Sequence, residues 1–391
     1  MRTTAQSSAL RVRAIAGSYV VVLGWDTLTG STPSGVDLLG FAIERSELKN
    51  GVVIEKYWLR GIKRFKDKDK GLAPGTPVST ADHPIQSFQW GDYTARAGGS
   101  YQYRVVPVWG TPKHLHLDDA ASVAVDVITE PEGAADDGTV RHDVFFNRGV
   151  IGSQAYAREF ENKVPDADDP ASPEMVWLSR GLYEALLRFI GLAKDGFRLR
   201  VALYEFHYQR VANAFAKAVE AGADVKIVYD AESAYKVANN ATIAEAGLDQ
   251  MGAVIPRTVS EGIRHNKFIV LLSGDNPVAV WTGSTNISAG GIFGHSNVGH
   301  IVWSEQVATA YLEYWERLAK NLTATKLREP NARLLLRPRA RRRRTARCRC
   351  SVHATRRTET RHSSGTPIGW TRRRKLFASP SPSISTRSSR R

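Results

Sequence analysis

The stretch Arg198-Leu199-Arg200-Val201-Ala202-Leu203-Tyr204-Glu205-Phe206 reads as a β-strand, and the segments on its C-terminal side decide the fold. Val211 to Ala221 has helical spacing, with Val211, Phe215 and Val219 on one face, and Gly222 stops it. Ala223 to Tyr229 is a second strand, and a helix is expected over Ala231 to Ala246. Strand, helix, strand, helix argues for a parallel or mixed sheet flanked by helices. Upstream, Ser179 can cap a helix carrying Leu182, Leu186, Phe189 and Ile190 that ends near Gly196. Downstream, Phe268 to Leu272 and Val278 to Trp281 are two further strands, and Ser304 caps a helix with Val307, Tyr311, Trp315 and Leu318. Residues 140–330 are therefore expected to form one α/β domain.

Residues 8–130 have a different character. Val12 to Leu23, Leu39 to Arg45, Val52 to Trp58, Tyr101 to Val108 and Ser122 to Ile128 are runs rich in β-branched and aromatic residues. Turn-forming stretches at Gly30 to Gly35 and Gly71 to Gly75 separate them, which predicts an all-β sandwich. Trp25 after an early strand and Tyr101-Gln102-Tyr103 late in the region resemble a fibronectin type III domain. In that family the early Trp fills the space between the sheets and a late Tyr pins a corner through its hydroxyl. A basic insertion, Lys63 to Lys70, interrupts the pattern. Residues 131–139 are polar, contain Pro131 and Gly133, and read as a linker.

The formal net charge of +15 invites a nucleic-acid or membrane reading, but its distribution does not support one for the body. Residues 332–391 carry 18 Arg and Lys375 against Glu359, leaving residues 1–331 at −3. That Arg/Ser-rich tail, 331–391, has few apolar residues to offset ordering entropy and is expected to be disordered. It reads as a phosphate-neutralising arm that could bind nucleic acid non-specifically, or as the product of a shifted reading frame. The abrupt replacement of Lys by Arg favours the frameshift. Both cysteines, Cys348 and Cys350, fall in the tail, so the body has neither a disulfide framework nor a thiolate metal site. No apolar run approaches the roughly 18–20 residues of a membrane span, and no secretory leader is evident, so a cytoplasmic protein is expected.

Chemistry concentrates in Arg264-His265-Asn266-Lys267, a strand, a Ser273 to Pro277 turn, a second strand and Gly283-Ser284-Thr285-Asn286. His265 and Lys267 are two apart and project from one strand face. The turn returns the chain antiparallel and is expected to bring Ser284 and Asn286 beside them. An imidazole, an ammonium, a hydroxyl and a carboxamide together suit a phosphoryl group. Lys267 supplies charge, Ser284 and Asn286 hydrogen bonds, and His265 a nucleophile or proton donor.

These residues resemble the phospholipase D superfamily, whose signature is His-x-Lys followed by Gly-Ser-x-Asn. The similarity also takes in the strand from Leu199 to Phe206, the Gly222-Ala223-Asp224-Val225 turn, and Gly299-His300-Ile301-Val302. It implies a phosphodiesterase in which one histidine attacks phosphorus and a second protonates the leaving alcohol, then activates water. No metal or other cofactor is implied. His265, Lys267 and Asn286 would be catalytic, with Gly283 and Ser284 binding substrate.

The sequence departs from that signature in three places. Leu272 stands where the family has Asp, with Asp275 three positions on; a changed hairpin is expected. Asn297 replaces an acidic residue eleven positions after Asn286, leaving an amide to hold the imidazole. No second His-x-Lys exists: His207, His295, His300, His353 and His362 all lack the lysine. A complete site needs two half-sites, so this chain is expected to be half of a two-motif enzyme cut short, or to pair as a homodimer.

Other residues carry weaker expectations. Glu205, at the end of a strand, could brace His265 or pair elsewhere; Glu261 is a lesser candidate. His300 reads as a core histidine, and His114 with His116 as a solvated strand face rather than metal ligands. Gly290-Gly291-Ile292-Phe293 reads as a mobile loop over the site. The expected substrate is a phosphodiester, with phospholipid favoured over nucleic acid because the body is slightly acidic. A nuclease and a non-catalytic phosphate- or partner-binding protein are the alternatives.

Overall fold

In the computed structural model, the described residues are 2–28, 37–259, 264–328 and 331. The turn expected at Gly30 to Gly35, Glu261, and the tail with its two competing explanations lie outside them.

Antiparallel sheets occupy the N-terminal part. One joins Arg2–Gln6, Leu10–Ala16, Val21–Thr27 and Gln89–Asp92 in that order. A second joins His114–Leu117, Ser100–Thr111, Leu38–Lys49 and Val52–Trp58, with Val123–Ile128 also on Ser100–Thr111. The single early strand expected from Val12 to Leu23 is two, because the chain reverses at Gly17 and Ser18, with Gly17 N–H bonded to Val20 O at 2.9 Å. Inward-facing Val12, Leu23, Trp25, Phe41, Tyr103 and Val125 form the core, in which Trp25 meets Phe41 edge-on at 5.3 Å. Alternation along each strand puts these residues inside and their neighbours in solvent.

The mixed sheet that carries the site has seven strands: β1 (Arg141–Phe146), β2 (Phe197–Leu203), β3 (Asp224–Asp230), β4 (Val254–Arg257), β5 (Lys267–Ser273), β6 (Asn276–Gly283) and β7 (Val298–Trp303). Their order is β1-β7-β6-β5-β2-β3-β4. The pairs β2–β3 and β3–β4 are parallel; the other four are antiparallel. Helices cover both faces. Leu199, Val201, Ile269, Leu271 and Trp281 pack towards α1 (Leu182–Ile190) and α2 (Gln209–Glu220). Ala202, Phe268, Val270 and Val280 pack against Ala308, Trp315 and Leu318 of α3 (Glu305–Ala319). A sheet buried on both sides explains the near-continuous apolar run of β5.

The capping expectations meet the structure unevenly. Ser304 caps α3 by accepting from Val307 N at 3.4 Å. Ser179 instead closes a preceding helix, Pro173–Ser179, although its hydroxyl still accepts from Tyr183 N at 3.0 Å. The helix expected from Ala231 begins only at Lys236, since Asp230 first turns the chain by accepting from the amides of Glu232 and Ser233. Among the described residues no helix is long and apolar enough to cross a membrane.

Candidate active site

The site sits where β2, β3 and β5 end together. Leu203, last in β2, pairs with Lys267, first in β5. Lys267 has the parity of Ile269 and Leu271, so its side chain enters the α1/α2 side of the sheet. It is only 9% exposed, and among the described residues no carboxylate lies within ion-pairing distance. Its ammonium donates to His265 O at 3.2 Å and lies 5.8 Å from the Tyr204 ring centroid. Burial lowers its pKa to about 8, against the attraction of Glu205.

His265 lies in the short extended segment before β5. Its ring meets Tyr204 edge-on at 4.9 Å and remains open to solvent. Partial burial, then the charge of Lys267, depress its pKa below the ordinary histidine value, with Glu205 opposing. The shift favours the neutral imidazole, the form a nucleophile needs. The preceding Arg264 is buried and grips Asp230 at the end of β3 at 2.9 Å, which fixes the backbone that presents His265.

Glu205 is the hub on the opposite side. Its carboxylate accepts from the Asn286 carboxamide and, at 2.8 Å, from Ser288 Oγ. Backbone bonds lock this arrangement: Ile287 N donates to Glu205 O at 3.2 Å and His207 N to Ile287 O at 3.0 Å. Asn286 Oδ1 is buried without a hydrogen-bond partner among the described residues. Asn239, fully buried, ties the strand ends together. Its amide donates to Tyr204 O and Asp230 O at 2.9 and 3.0 Å, and its carbonyl accepts from Phe206 N at 2.8 Å.

Not every expected residue joins this cluster. Gly283 ends β6 with φ +144°, and a Cβ there would lie 2.1 Å from Val298 O, so close β6–β7 approach demands glycine. Past it the strand turns Ser284 away from the cluster. Ser284 Oγ donates to Asn297 Oδ1 at 2.8 Å and accepts from Val298 N at 3.1 Å. Asn297 in turn donates to Gly291 O at 2.7 Å, so its amide is committed to Ser284 and Gly291. The hairpin is altered near Leu272, where the β5–β6 register shifts, and Asp275 pairs with Arg198.

His300 faces His142 from β7, ring nitrogens 2.9 Å apart, with burial lowering its pKa to about 4. The Gly290 segment is not a mobile loop: it is a π-helical turn whose Ile292 and Phe293 are 0% and 2% exposed, packed with Tyr183 and Tyr208. His114 and His116 are on a half-exposed strand, and among the described residues no three potential metal ligands cluster.

Three residues that pattern reading passed over belong to the cluster. His207 stacks on Tyr235 at 5.6 Å with its Nε2 3.7 Å from Glu205 Oε2, and that nitrogen is buried without a hydrogen bond. The nearby carboxylate of Glu205 raises the Tyr235 pKa. Tyr204 separates Tyr235 from His265. The contiguous Tyr204-Glu205-Phe206-His207 was the available signal: four polar or aromatic residues at the C-terminal end of a strand.

No curated protein matches the chain. Among solved structures it is similar to Nuc from Salmonella typhimurium, a phospholipase D family member. Identity is 24% over 47% of this chain and 96% of that one, with a TM-score of 0.33. NucT from Helicobacter pylori is 15% identical over 47% and 98%, with a TM-score of 0.33. Phosphatidylserine synthase from Haemophilus influenzae is 13% identical over 52% and 41%, with a TM-score of 0.29. Residues 186–319 match the family model described as cardiolipin synthase, phospholipase D-like domain.

Proposed function

We propose that the chain is a phosphodiesterase of the phospholipase D type, with His265 as the nucleophile, acting on the head-group phosphodiester of a phospholipid. One observation carries the reading: a buried lysine with no carboxylate partner among the described residues lies beside a solvent-accessible imidazole whose pKa is depressed. A desolvated ammonium favours an anionic ligand, and a phosphoryl group supplies one. Asn286, through its unpartnered carbonyl or after rotation of its amide, completes the polar wall.

In this reaction the His265 imidazole attacks phosphorus while the bond to the leaving alcohol breaks, giving a phosphohistidine. A second imidazole gives that alcohol a proton, then takes one from the water that cleaves the phosphorus–nitrogen bond. A second copy of the chain supplies this imidazole by pairing. No metal or other cofactor takes part. The family model's cardiolipin synthase description supports the lipid over the nucleic-acid substrate.

We further read residues 8–130 as a fibronectin type III-like sandwich joined to residues 140–330 through 131–139. The buried Trp25 supports this, as does Tyr101, whose hydroxyl accepts from Arg96 N at 2.9 Å across a corner.

The test is turnover of bis(4-nitrophenyl) phosphate, followed by phosphatidylcholine against single-stranded DNA. Loss of turnover in His265→Ala, and a trapped acid-labile phosphoenzyme, are expected. Faster cleavage of DNA would transfer the reading to a nuclease. Phosphate binding without turnover at any protein concentration would leave a non-catalytic binding protein.

A further inference from the structure

A cleft of about 600 Å3 is lined in part by Ser284, just past the end of β6. Ser284 and Asn297 form one wall, Tyr93 and Phe146 another, and Arg148 and Arg180 the third. The two aromatic rings meet edge-on at 5.6 Å, and Tyr93 is 47% exposed. Among the described residues neither acid nor lysine lines the cleft.

The two arginines are held by neutral groups. Arg148 lies over the Trp177 ring at 4.6 Å and donates to Trp177 O at 2.9 Å. Arg180 donates to Phe146 O at 3.3 Å. Each guanidinium has five N–H donors, so most remain available. Among the described residues no carboxylate lies within 4 Å of either. Asp92, the acid whose field reaches Arg180, is buried and already serves Arg45, Tyr103 and Thr94. Burial lowers both arginine pKa values, and Arg148 lowers that of Arg180 further. Glu159 and Asp92 act on Arg148 and Arg180 only from beyond ion-pairing distance, and a bound anion would relieve the repulsion that remains between the two guanidinium groups. Guanidinium forks match the oxygens of phosphate, and the aromatic wall suits the organic group attached to it.

We propose that the Arg148–Arg180 cleft binds a phosphate ester, as a subsite separate from His265 and Lys267. This does not depend on His265 being a nucleophile, because the cleft shares neither His265 nor Lys267 with the site described above.

The test is calorimetric titration of the full chain with inorganic phosphate, glycerol 3-phosphate and adenosine 5′-monophosphate, in wild type and in Lys267→Gln. The Lys267→Gln background removes binding at that ammonium. Saturable binding is expected to persist in Lys267→Gln and to weaken about tenfold when Arg180→Gln is added. Because Arg180 also holds Phe146 O, Ser296→Glu provides a second variant: Ser296 is exposed on the rim, and a carboxylate there should abolish binding without disturbing the fold. Preference for the adenosine ester would assign the aromatic wall to a base, and preference for the glycerol ester to a lipid head group. Either supports the subsite. Binding that vanishes in Lys267→Gln alone, or that survives both Arg180→Gln and Ser296→Glu, overturns it.

Discussion

Arg264 and Asp230 meet at 2.9 Å in a pair that water does not reach, the side chains being 8% and 0% exposed. This contact fastens the segment carrying His265 to the end of β3, a strand to which His265 has no backbone bond. Arg264→Ala would leave the buried Asp230 carboxylate without its cation, held only by the amides of Glu232 and Ser233. A loss of about 3–5 kcal/mol in denaturant-induced unfolding is expected. Asp230→Asn in the Arg264→Ala background should restore part of it, by removing the stranded charge.

Asn239 is the other fastening, with three bonds across the ends of β2 and β3. Asn239→Leu, of similar size, leaves Phe206 N and two carbonyls without partners. Destabilisation of about 2–3 kcal/mol is expected, measured by chemical denaturation. Asn239→Asp should cost at least as much, since the acid cannot donate to Tyr204 O and Asp230 O while ionised.

The activity–pH profile derives from two imidazoles. Catalysis requires one neutral imidazole to attack and one protonated imidazole to release the alcohol, so kcat/KM should rise through a pKa below the usual histidine value and fall as the second imidazole loses its proton, before Lys267 deprotonates near 8. Lys267→Arg should therefore leave the alkaline limb in place. The Lys267 shift bears on stability. Lys267 binds its proton less well when folded, so burial opposes folding fully below about pH 8 and progressively less as pH rises towards the unfolded value near 10.5. Lys267→Met should therefore raise stability at neutral pH, by roughly 2 kcal/mol, while abolishing activity.

Glu205 acts on both partners at once, favouring their protonated forms. Glu205→Gln keeps the shape and removes the charge. Both limbs of the profile should move to lower pH; a purely structural role would lower activity without moving them.

Gly283→Ala tests the close approach of β6 and β7. With a Cβ 2.1 Å from Val298 O and φ at +144°, a loss of at least about 2–3 kcal/mol is expected in thermal unfolding. Ser284→Ala removes only the bonds to Asn297 Oδ1 and Val298 N and should cost about 1 kcal/mol.

The alternation of strand and helix in the second half was legible because it is a local property. Val211, Phe215 and Val219 face one way at helical spacing, and all three contribute to the core under β2. The β5–β6 hairpin was legible for the same reason, its turn lying between two apolar runs. Pairing geometry beyond the hairpin was not. Two-residue spacing places Ser284 and Asn286 on one face only while the strand is regular, and Gly283 ends that regularity. The Gly290 segment misled because glycine signals backbone freedom, whereas Ile292 and Phe293 bind it into the core.

By itself the sequence determined which elements form and where charge accumulates, since each depends on neighbours within a few positions. Tertiary structure alone decided that Glu205 meets Asn286, that Arg264 finds Asp230, and that Arg148 and Arg180 border one cleft. Those pairs are 81, 34 and 32 positions apart. No local rule relates residues at such separations; they meet because burying both faces of one sheet leaves a single way to bring its strand ends together.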